Sequence, residues 1–166
     1  MFGKQMHNSR VLRQNHRAII QNMEEEDVDQ VVFIEKESFS DPWSKQSFLQ
    51  DLGNPLALSL VVKLGREVVG YACLWQTGME LHIGNIAVAG KHRRKGIGKL
   101  LMERIMQEGI QRGCGSMLLD VRESNQAAIN LYEQFGFVHL CRRKLYYRFP
   151  NEDALVMMKH LQKESA

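Results

Sequence analysis

The residues with the clearest chemical meaning lie between Val88 and Leu101, where a predicted strand leads into a loop and then a helix. The loop carries five basic side chains among the residues Lys91, His92, Arg93, Arg94, Lys95, Gly96, Ile97, Gly98 and Lys99. Up to four N–H groups at a helix start lack partners, and the helix dipole adds about half a positive charge there. Glycines let the backbone approach an anion closely. This stretch therefore predicts a pyrophosphate site, with a solvated basic turn or a nucleic-acid contact as the alternatives.

Two familiar phosphate-binding motifs do not fit the loop. It differs from the G-x-G-x-x-G dinucleotide fingerprint, and it lacks the GK[ST] of a P-loop. Nicotinamide cofactors and ATP hydrolysis therefore lose support.

Alternating strands and helices are predicted to position this loop. The predicted strands are 17–23, 58–64, 68–75, 80–88, 116–121, 137–142 and 154–161. The predicted helices run through 24–34, 44–52, 100–110 and 125–135. A strand, a helix and a second strand in succession, as over 80–121, are typical of a parallel crossover, and 116–121 is apolar enough to be buried on both faces. The pattern indicates a mixed α/β fold.

Length and charge restrict the class of protein. The 166 residues suit one domain, predicted as 18–166, and no run of about 20 apolar residues predicts a membrane span. Residues 1–23 sum to +4 and the remainder, with 18 basic and 19 acidic residues, to −1. We interpret 1–17 as a mobile basic extension. The nearly neutral domain argues against a nucleic-acid-binding face, so only the extension could contact RNA.

The three cysteines lie far apart and form no CxxC motif, which suggests neither a disulfide framework nor a zinc site. We expect a cytoplasmic protein, a monomer, with no bound metal.

The hexapeptide Arg93–Gly98 fits the pattern Q/R-x-x-G-x-G/A, so the chain resembles the Gcn5-related N-acetyltransferases, over about 18–161. The resemblance implies that loop amides hold the pyrophosphate of acetyl-CoA and that the strand Asn85–Val88 binds its pantetheine arm. It implies a mixed, mostly antiparallel central sheet with a splayed parallel strand pair and helices on both faces. The implied cofactor residues are Ile86, Ala87, Val88, Arg93, Arg94, Lys95, Gly96, Ile97, Gly98, Lys99, Asn125 and Tyr132.

Within that family the chain is most similar to the RimI-type enzymes, which acetylate the N-terminal alanine of ribosomal small-subunit protein number eighteen. The similarity lies in the segments FSDPWS (39–44), ELHIGNIAV (80–88), LDVRESNQAAINLYEQFGF (119–137) and RKLYYRFPNEDA (143–154). It implies that acetyl passes directly from acetyl-CoA to a protein N-terminal amine. The rival functions are acetylation of other N-termini or of lysine, and a non-catalytic CoA-sensing or RNA-binding module.

The RimI pattern places a general base at Asp120 and a general acid twelve residues later, at Tyr132. The pattern has glutamate at the first position, and aspartate is one methylene shorter, by about 1.5 Å. The sequence therefore leaves three alternatives for the general base: Asp120, a water-linked Glu80 or His82, and no dedicated base. Tyr132 could alternatively be a core aromatic residue, because it lies at helical spacing from Ala128 and Phe135.

The resemblance also places an acceptor site. It sets Tyr146 and Tyr147 against the substrate N-terminus, whereas an edge-strand position is the structural alternative. Trp43 is predicted as a wall of the pocket or a lid anchor, and Asn85 as a further substrate residue. Asn125 could simply cap the helix that it begins.

Overall fold

The computed structural model describes residues 10–11 and 17–161. Among these, eight strands form one sheet in the order β1-β2-β3-β4-β5-β6-β8-β7. The strands are β1 (Arg10–Val11), β2 (Arg17–Asn22), β3 (Ala57–Leu64), β4 (Glu67–Thr77), β5 (Glu80–Val88), β6 (Ser116–Arg122), β7 (Val138–Tyr147) and β8 (Glu152–His160). Only the β5–β6 pair of this sheet is parallel. The predicted mixed, mostly antiparallel sheet is confirmed.

Four α-helices connect the strands of the described chain. They are α1 (Val28–Ser38), α2 (Lys45–Leu52), α3 (Ile97–Gln111) and α4 (Gln126–Gln134). Ser44 caps α2 by accepting from the Ser47 amide at 3.2 Å. Asn125 caps α4 by accepting from the Ala128 amide at 3.2 Å. These side chains satisfy amides that the first helical turn leaves unpaired.

The helices cover both faces of the sheet, as expected. On one face α3 and α4 pack against alternate residues of the central strands, such as Leu81, Met117 and Leu119. On the other face α1 and α2 cover a second cluster that includes Tyr71 and Phe48. None of the helices in residues 17–161 has the length and apolarity needed to span a bilayer.

Two strands differ from their predictions. On β6, Met117, Leu119 and Val121 are buried but the intervening residues are half-buried, so burial on both faces was wrong. β7 continues to Tyr147 instead of ending near 142. It is the edge strand and exposed along nearly its whole length, so it carries no hydrophobic alternation that could mark its end.

The N-terminal extension is described only at Arg10–Val11, which pairs antiparallel with β2. The remainder of 1–16 lies outside the described residues, so its mobility stays a prediction. The division into an extension and one domain from residue 18 likewise stays a prediction; β2 begins at Arg17.

Candidate active site

The parallel strands β5 and β6 separate in the middle of the sheet. Their pairing is limited to Glu80–Ile83 of β5 and Ser116–Leu119 of β6. The β4–β5 register shifts directly afterwards, because Cys73 faces Asn85 while Leu74 faces Ile83, and Gly84 is left as a bulge. Beyond this point β5 continues beside β4 alone. We call the resulting gap between the second half of β5 and the end of β6 the opening; it is the splayed pair that the family resemblance implies.

The basic loop lies at the end of β5 and leads into α3. Gly96 is the N-cap of α3 with φ +84°, a conformation that favours glycine, and the Leu100 amide donates to its carbonyl at 3.0 Å. The amides of Ile97, Gly98 and Lys99 come before this first helical hydrogen bond and have no acceptor within the helix. A Cβ built on Gly96 would meet nothing within 4 Å, so the space around Gly96 itself is open. The helix start thus has the features of an anion site.

The five basic side chains of the loop divide into two groups. Arg93 folds back, since its Nε donates to the Val88 carbonyl at 3.1 Å and a terminal nitrogen donates to Ser38 Oγ at 3.2 Å. Lys91 forms an ion pair with Glu67. Arg94, Lys95 and Lys99 are exposed, and no ion pair of theirs is found within 17–161. Three cations therefore stay available to an anion, while the Arg93 side chain shapes the loop.

The predicted pantetheine segment forms the β5 side of the opening. Ile86 and Val88 pack toward the α3–α4 face, and Ala87 is buried on the α1 side. The pairing with β6 ends at Ile83, so the backbone edge of β5 from Gly84 onward has no strand partner on the β6 side. An extended ligand can bind such an edge by main-chain hydrogen bonds.

On the β6 side, Asp120 is the first residue beyond the paired stretch. Its Oδ1 lies 3.2 Å from Arg143 Nε, but the geometry is not that of a hydrogen bond, and this buried oxygen has no hydrogen-bond partner among the described residues. Burial raises the pKa of the Tyr147 phenol, and the Asp120 charge raises it further.

Tyr132 lies in α4, 5% exposed, with its ring 6.0 Å from that of Phe137. Burial raises the pKa of its phenol, and the nearby Tyr147 raises it further. Both tyrosines are consequently neutral O–H donors at physiological pH. The structure thus places Tyr132 in the core, as the core-aromatic alternative predicts, with Tyr147 as an electrostatic neighbour.

Glu80 and His82 contact each other at 3.1 Å at the start of β5. Glu80 is in register with Ser116, four residues before Asp120, which corresponds to about 13 Å along the strand. His82 faces Leu118, about 7 Å before Asp120. The structure leaves Glu80 outside the opening and His82 near its closed end.

A buried carboxylate that the sequence analysis missed organises Trp43 and Asn85. Glu35 on α1 accepts from the Trp43 amide at 2.9 Å, from Asn85 Nδ2 at 3.0 Å, and from the hydroxyl of Tyr71. Burial raises the pKa of Glu35. Asn85 is therefore occupied by an internal contact. The signal that could have found Glu35 is its helical spacing from Val28 and Val31, which places it on the buried face of α1.

The Trp43 ring is an anchor of its loop. It stacks on Trp75 with ring centroids 5.5 Å apart, and it packs equally close to Phe48. Trp75 in turn covers the bulge, since a Cβ on Gly84 would lie 2.0 Å from that indole. The lid-anchor interpretation of Trp43 fits these contacts.

Tyr146 and Tyr147 end β7 with their rings in an edge-to-face contact at 5.1 Å. Tyr146 is half exposed, and the Arg122 guanidinium lies 4.5 Å from the Tyr147 ring centroid. Arg122 is the second residue that the sequence analysis missed. Within 17–161, no group of three or more His, Cys, Asp or Glu side chains could hold a metal ion.

Comparisons with known proteins agree with this geometry. The family model described as the acetyltransferase (GNAT) family matches residues 23–137. The chain belongs to this family.

Two curated relatives and one solved structure carry the name of a single activity within this family. A Bacillus subtilis protein, provisionally named a [ribosomal protein bS18]-alanine N-acetyltransferase, is 36% identical over 85% of this chain and 94% of its own. The Escherichia coli K12 enzyme that carries this name is 32% identical over 83% of this chain and 94% of its own. The crystal structure of the E. coli ribosomal-protein-S18-alanine N-acetyltransferase superposes with a TM-score of 0.81 at 29% identity, covering 90% of this GNAT protein and 98% of that chain.

Proposed function

We propose that this GNAT protein transfers acetyl from acetyl-CoA to the α-amine of an N-terminal alanine, with ribosomal small-subunit protein number eighteen as its substrate. One observation carries the proposal: the opening between β5 and β6 has the α3 start at one end of β5 and Asp120 directly after the paired stretch of β6. Relatives with this named activity match more than four fifths of the chain. Because that substrate is made and assembled in the cytoplasm, we also propose a cytoplasmic location.

The chain has suitable groups for the CoA portion of the substrate. We assign the pyrophosphate to the amides of Ile97, Gly98 and Lys99, with Arg94, Lys95 and Lys99 adding positive charge. We assign the pantetheine arm to the free β5 edge at Ile86, Ala87 and Val88. When bound, acetyl-CoA supplies the thioester whose carbonyl carbon the amine attacks. Asn125 has a structural role as the α4 cap, and a contact with the cofactor stays a prediction.

The proton transfers are assigned to two residues. The amine nitrogen forms a bond to the acetyl carbon while the carbon–sulfur bond breaks. We propose that Asp120 accepts the proton that the amine loses, directly or through one water. We propose that Tyr132 donates its phenolic proton to the departing thiolate. His82, with Glu80 behind it, is the alternative base.

The acceptor amine constrains how strong a base is required. An N-terminal amine with a pKa near 8 costs about 1.4 kcal/mol to deprotonate at pH 7, whereas a lysine amine costs about 4.6 kcal/mol. A single carboxylate such as Asp120 is therefore better suited to deprotonating an N-terminal amine than a lysine amine. We propose that four residues position the acceptor, namely Trp43, Asn85, Tyr146 and Tyr147. Two of them, Trp43 and Asn85, act through their hydrogen bonds to Glu35.

The test is acetyl transfer to two peptides by the purified protein. One begins with free alanine and follows the substrate's N-terminal sequence; the other has a blocked N-terminus and an internal lysine. We expect clear turnover of the first and about 100-fold lower kcat/KM for the second. A preference for lysine would replace the proposed function with lysine acetylation. CoA binding without any transfer would favour a sensing module.

The identity of the base is tested by Asp120→Asn and His82→Gln. We expect Asp120→Asn to lower kcat by about 100-fold and His82→Gln by less than about threefold. The reverse order would assign the base to His82 and Glu80.

A further inference from the structure

Arg122 lies on β6 two residues after Asp120 and therefore on the same face of the sheet. Its guanidinium contacts two separate segments. One terminal nitrogen donates to Ser40 Oγ at 3.2 Å, and thereby reaches the loop 39–44. The same nitrogen donates to the Arg148 carbonyl at 2.8 Å, and the other donates to the Pro150 carbonyl at 3.1 Å.

Two further contacts hold the guanidinium in place. Glu152 Oε1 lies 3.6 Å from one terminal nitrogen and supplies the opposite charge. The plane of the group covers the Tyr147 ring at 4.5 Å. Glu152 itself accepts from the Ser124 amide at 2.7 Å, which ties the arrangement to the segment before α4. Arg122 is thus the residue where the 39–44 loop, the 148–150 turn and Tyr147 meet.

Only a planar guanidinium fits all of these contacts. Lysine has one compact ammonium group, which can replace part of the charge and one or two donors but cannot span both segments while stacking on a ring. The backbone carbonyls of Arg148 and Pro150 would then lose their donor. The distance between the loop and the turn would no longer be fixed by a shared partner.

We propose that Arg122 is a positioning residue for the acceptor peptide, which sets the separation of the 39–44 loop from the 148–150 turn and the orientation of Tyr147. The inference rests on the proposed function, because it concerns the acceptor side of that reaction. Arg122 has no contact with the loop 89–96 or the α3 start among the described residues. Its loss should therefore affect the peptide and leave acetyl-CoA binding unchanged.

The experiment measures both KM values for wild type, Arg122→Lys, Ser40→Ala and the double variant, using the alanine-starting peptide. We expect Arg122→Lys to raise the peptide KM about tenfold and Ser40→Ala about threefold, while the KM for acetyl-CoA stays within about twofold of wild type. Because Ser40 acts through Arg122, Ser40→Ala should add little in the Arg122→Lys background.

The matched control is Arg142→Lys. Arg142, on β7, likewise has several partners, since it contacts the carboxylates of Glu123 at 2.7 Å and Asp153 at 3.3 Å, but it has no contact with the 39–44 loop among the described residues. We expect both KM values of this control to equal those of wild type.

The outcomes separate the two proposals. A wild-type protein that acetylates no N-terminal alanine overturns the proposed function, and this inference with it. A functional wild type whose peptide KM is unchanged in Arg122→Lys overturns the inference alone, as do equal rises of both KM values or fully additive effects with Ser40→Ala. Should Arg122→Lys fail to fold, an unchanged peptide KM in Ser40→Ala overturns it.

Discussion

The two sides of the opening are built from different parts of the chain. The donor side, which we define as the loop 89–96 with the start of α3, offers backbone amides of consecutive residues. The acceptor side, which we define as the loop 39–44, the end of β6 and the 148–150 turn, is held by side chains from distant positions. Glu35 reaches Asn85 across 50 residues, and Arg122 reaches Ser40 across 82. The donor side should therefore tolerate most side-chain substitutions, whereas the acceptor side should be sensitive to them.

Tyr132 is the proposed proton donor, and its substitution should have the largest effect. Tyr132→Phe removes the proposed proton donor but keeps the packing on Phe137, so kcat should fall about 100-fold with both KM values little changed. Steady-state kinetics with the alanine-starting peptide measures this. Tyr146→Phe is the comparison variant: Tyr146 is assigned to the acceptor, so its loss of a hydroxyl should change the peptide KM and not kcat. An unchanged kcat in Tyr132→Phe would leave Tyr132 a core residue only.

Glu35→Gln tests the buried contacts of the acceptor side. The new amide group would place a donor against the donors of Trp43 and Asn85, which should reduce the free energy of unfolding by about 1–3 kcal/mol. Burial raises the pKa of Glu35, so the native state favours the neutral carboxyl. The stability that this gives is complete at low pH and is lost as pH rises through the raised pKa.

The difference in stability between wild type and Glu35→Gln should therefore shrink as pH rises from the ordinary pKa of glutamate through the raised pKa of Glu35. Urea denaturation of both proteins over this range measures it, and subtraction removes contributions from the other titrating groups. A difference that grows with pH would contradict the effect of burial on this carboxyl.

Gly96→Ala tests the backbone of the donor side. Alanine at φ +84° is strained by about 1–2 kcal/mol, so the helix start should shift and the KM for acetyl-CoA should rise about tenfold. Gly113→Ala is a close control, because Gly113 has φ +69° and, like Gly96, open space within 4 Å. Equal changes of KM in both variants would assign the effect to strain alone.

Lys95→Ala should have the smallest effect. An exposed charge contributes about 0.2–1 kcal/mol, so the KM for acetyl-CoA should rise less than about fivefold, and less still at high salt. Kinetics at two salt concentrations measures this. A rise as large as that of Gly96→Ala would show that side chains, and not amides, dominate the donor side.

The sequence predicted the donor side well because its signal is local. A strand, a basic loop with two glycines and an amphipathic helix follow one another within 80–111, and the structure confirms their order and the parallel crossover. Helix caps at Ser44 and Asn125 could also be predicted, since a cap depends on the next three residues.

The acceptor side could not be predicted residue by residue. Glu35 and Arg122 have ordinary neighbours in sequence, and their importance comes from partners that only the folded sheet brings near. The end of β7 was missed for a related reason, because an exposed edge strand has no alternation to mark it. The similarity to a family supplied Asp120, Tyr146 and Tyr147 as candidates, but not the contacts that hold them.

The strand order has a consequence for how the protein matures during translation. β8 is synthesised after β7 yet lies between β7 and β6, so β7 has no place in the sheet until β8 has left the ribosome. A nascent chain that already contains the whole donor side still lacks the wall formed by Tyr146, Tyr147 and the 148–150 turn. Such a chain would contain the proposed pyrophosphate site before the proposed acceptor wall exists.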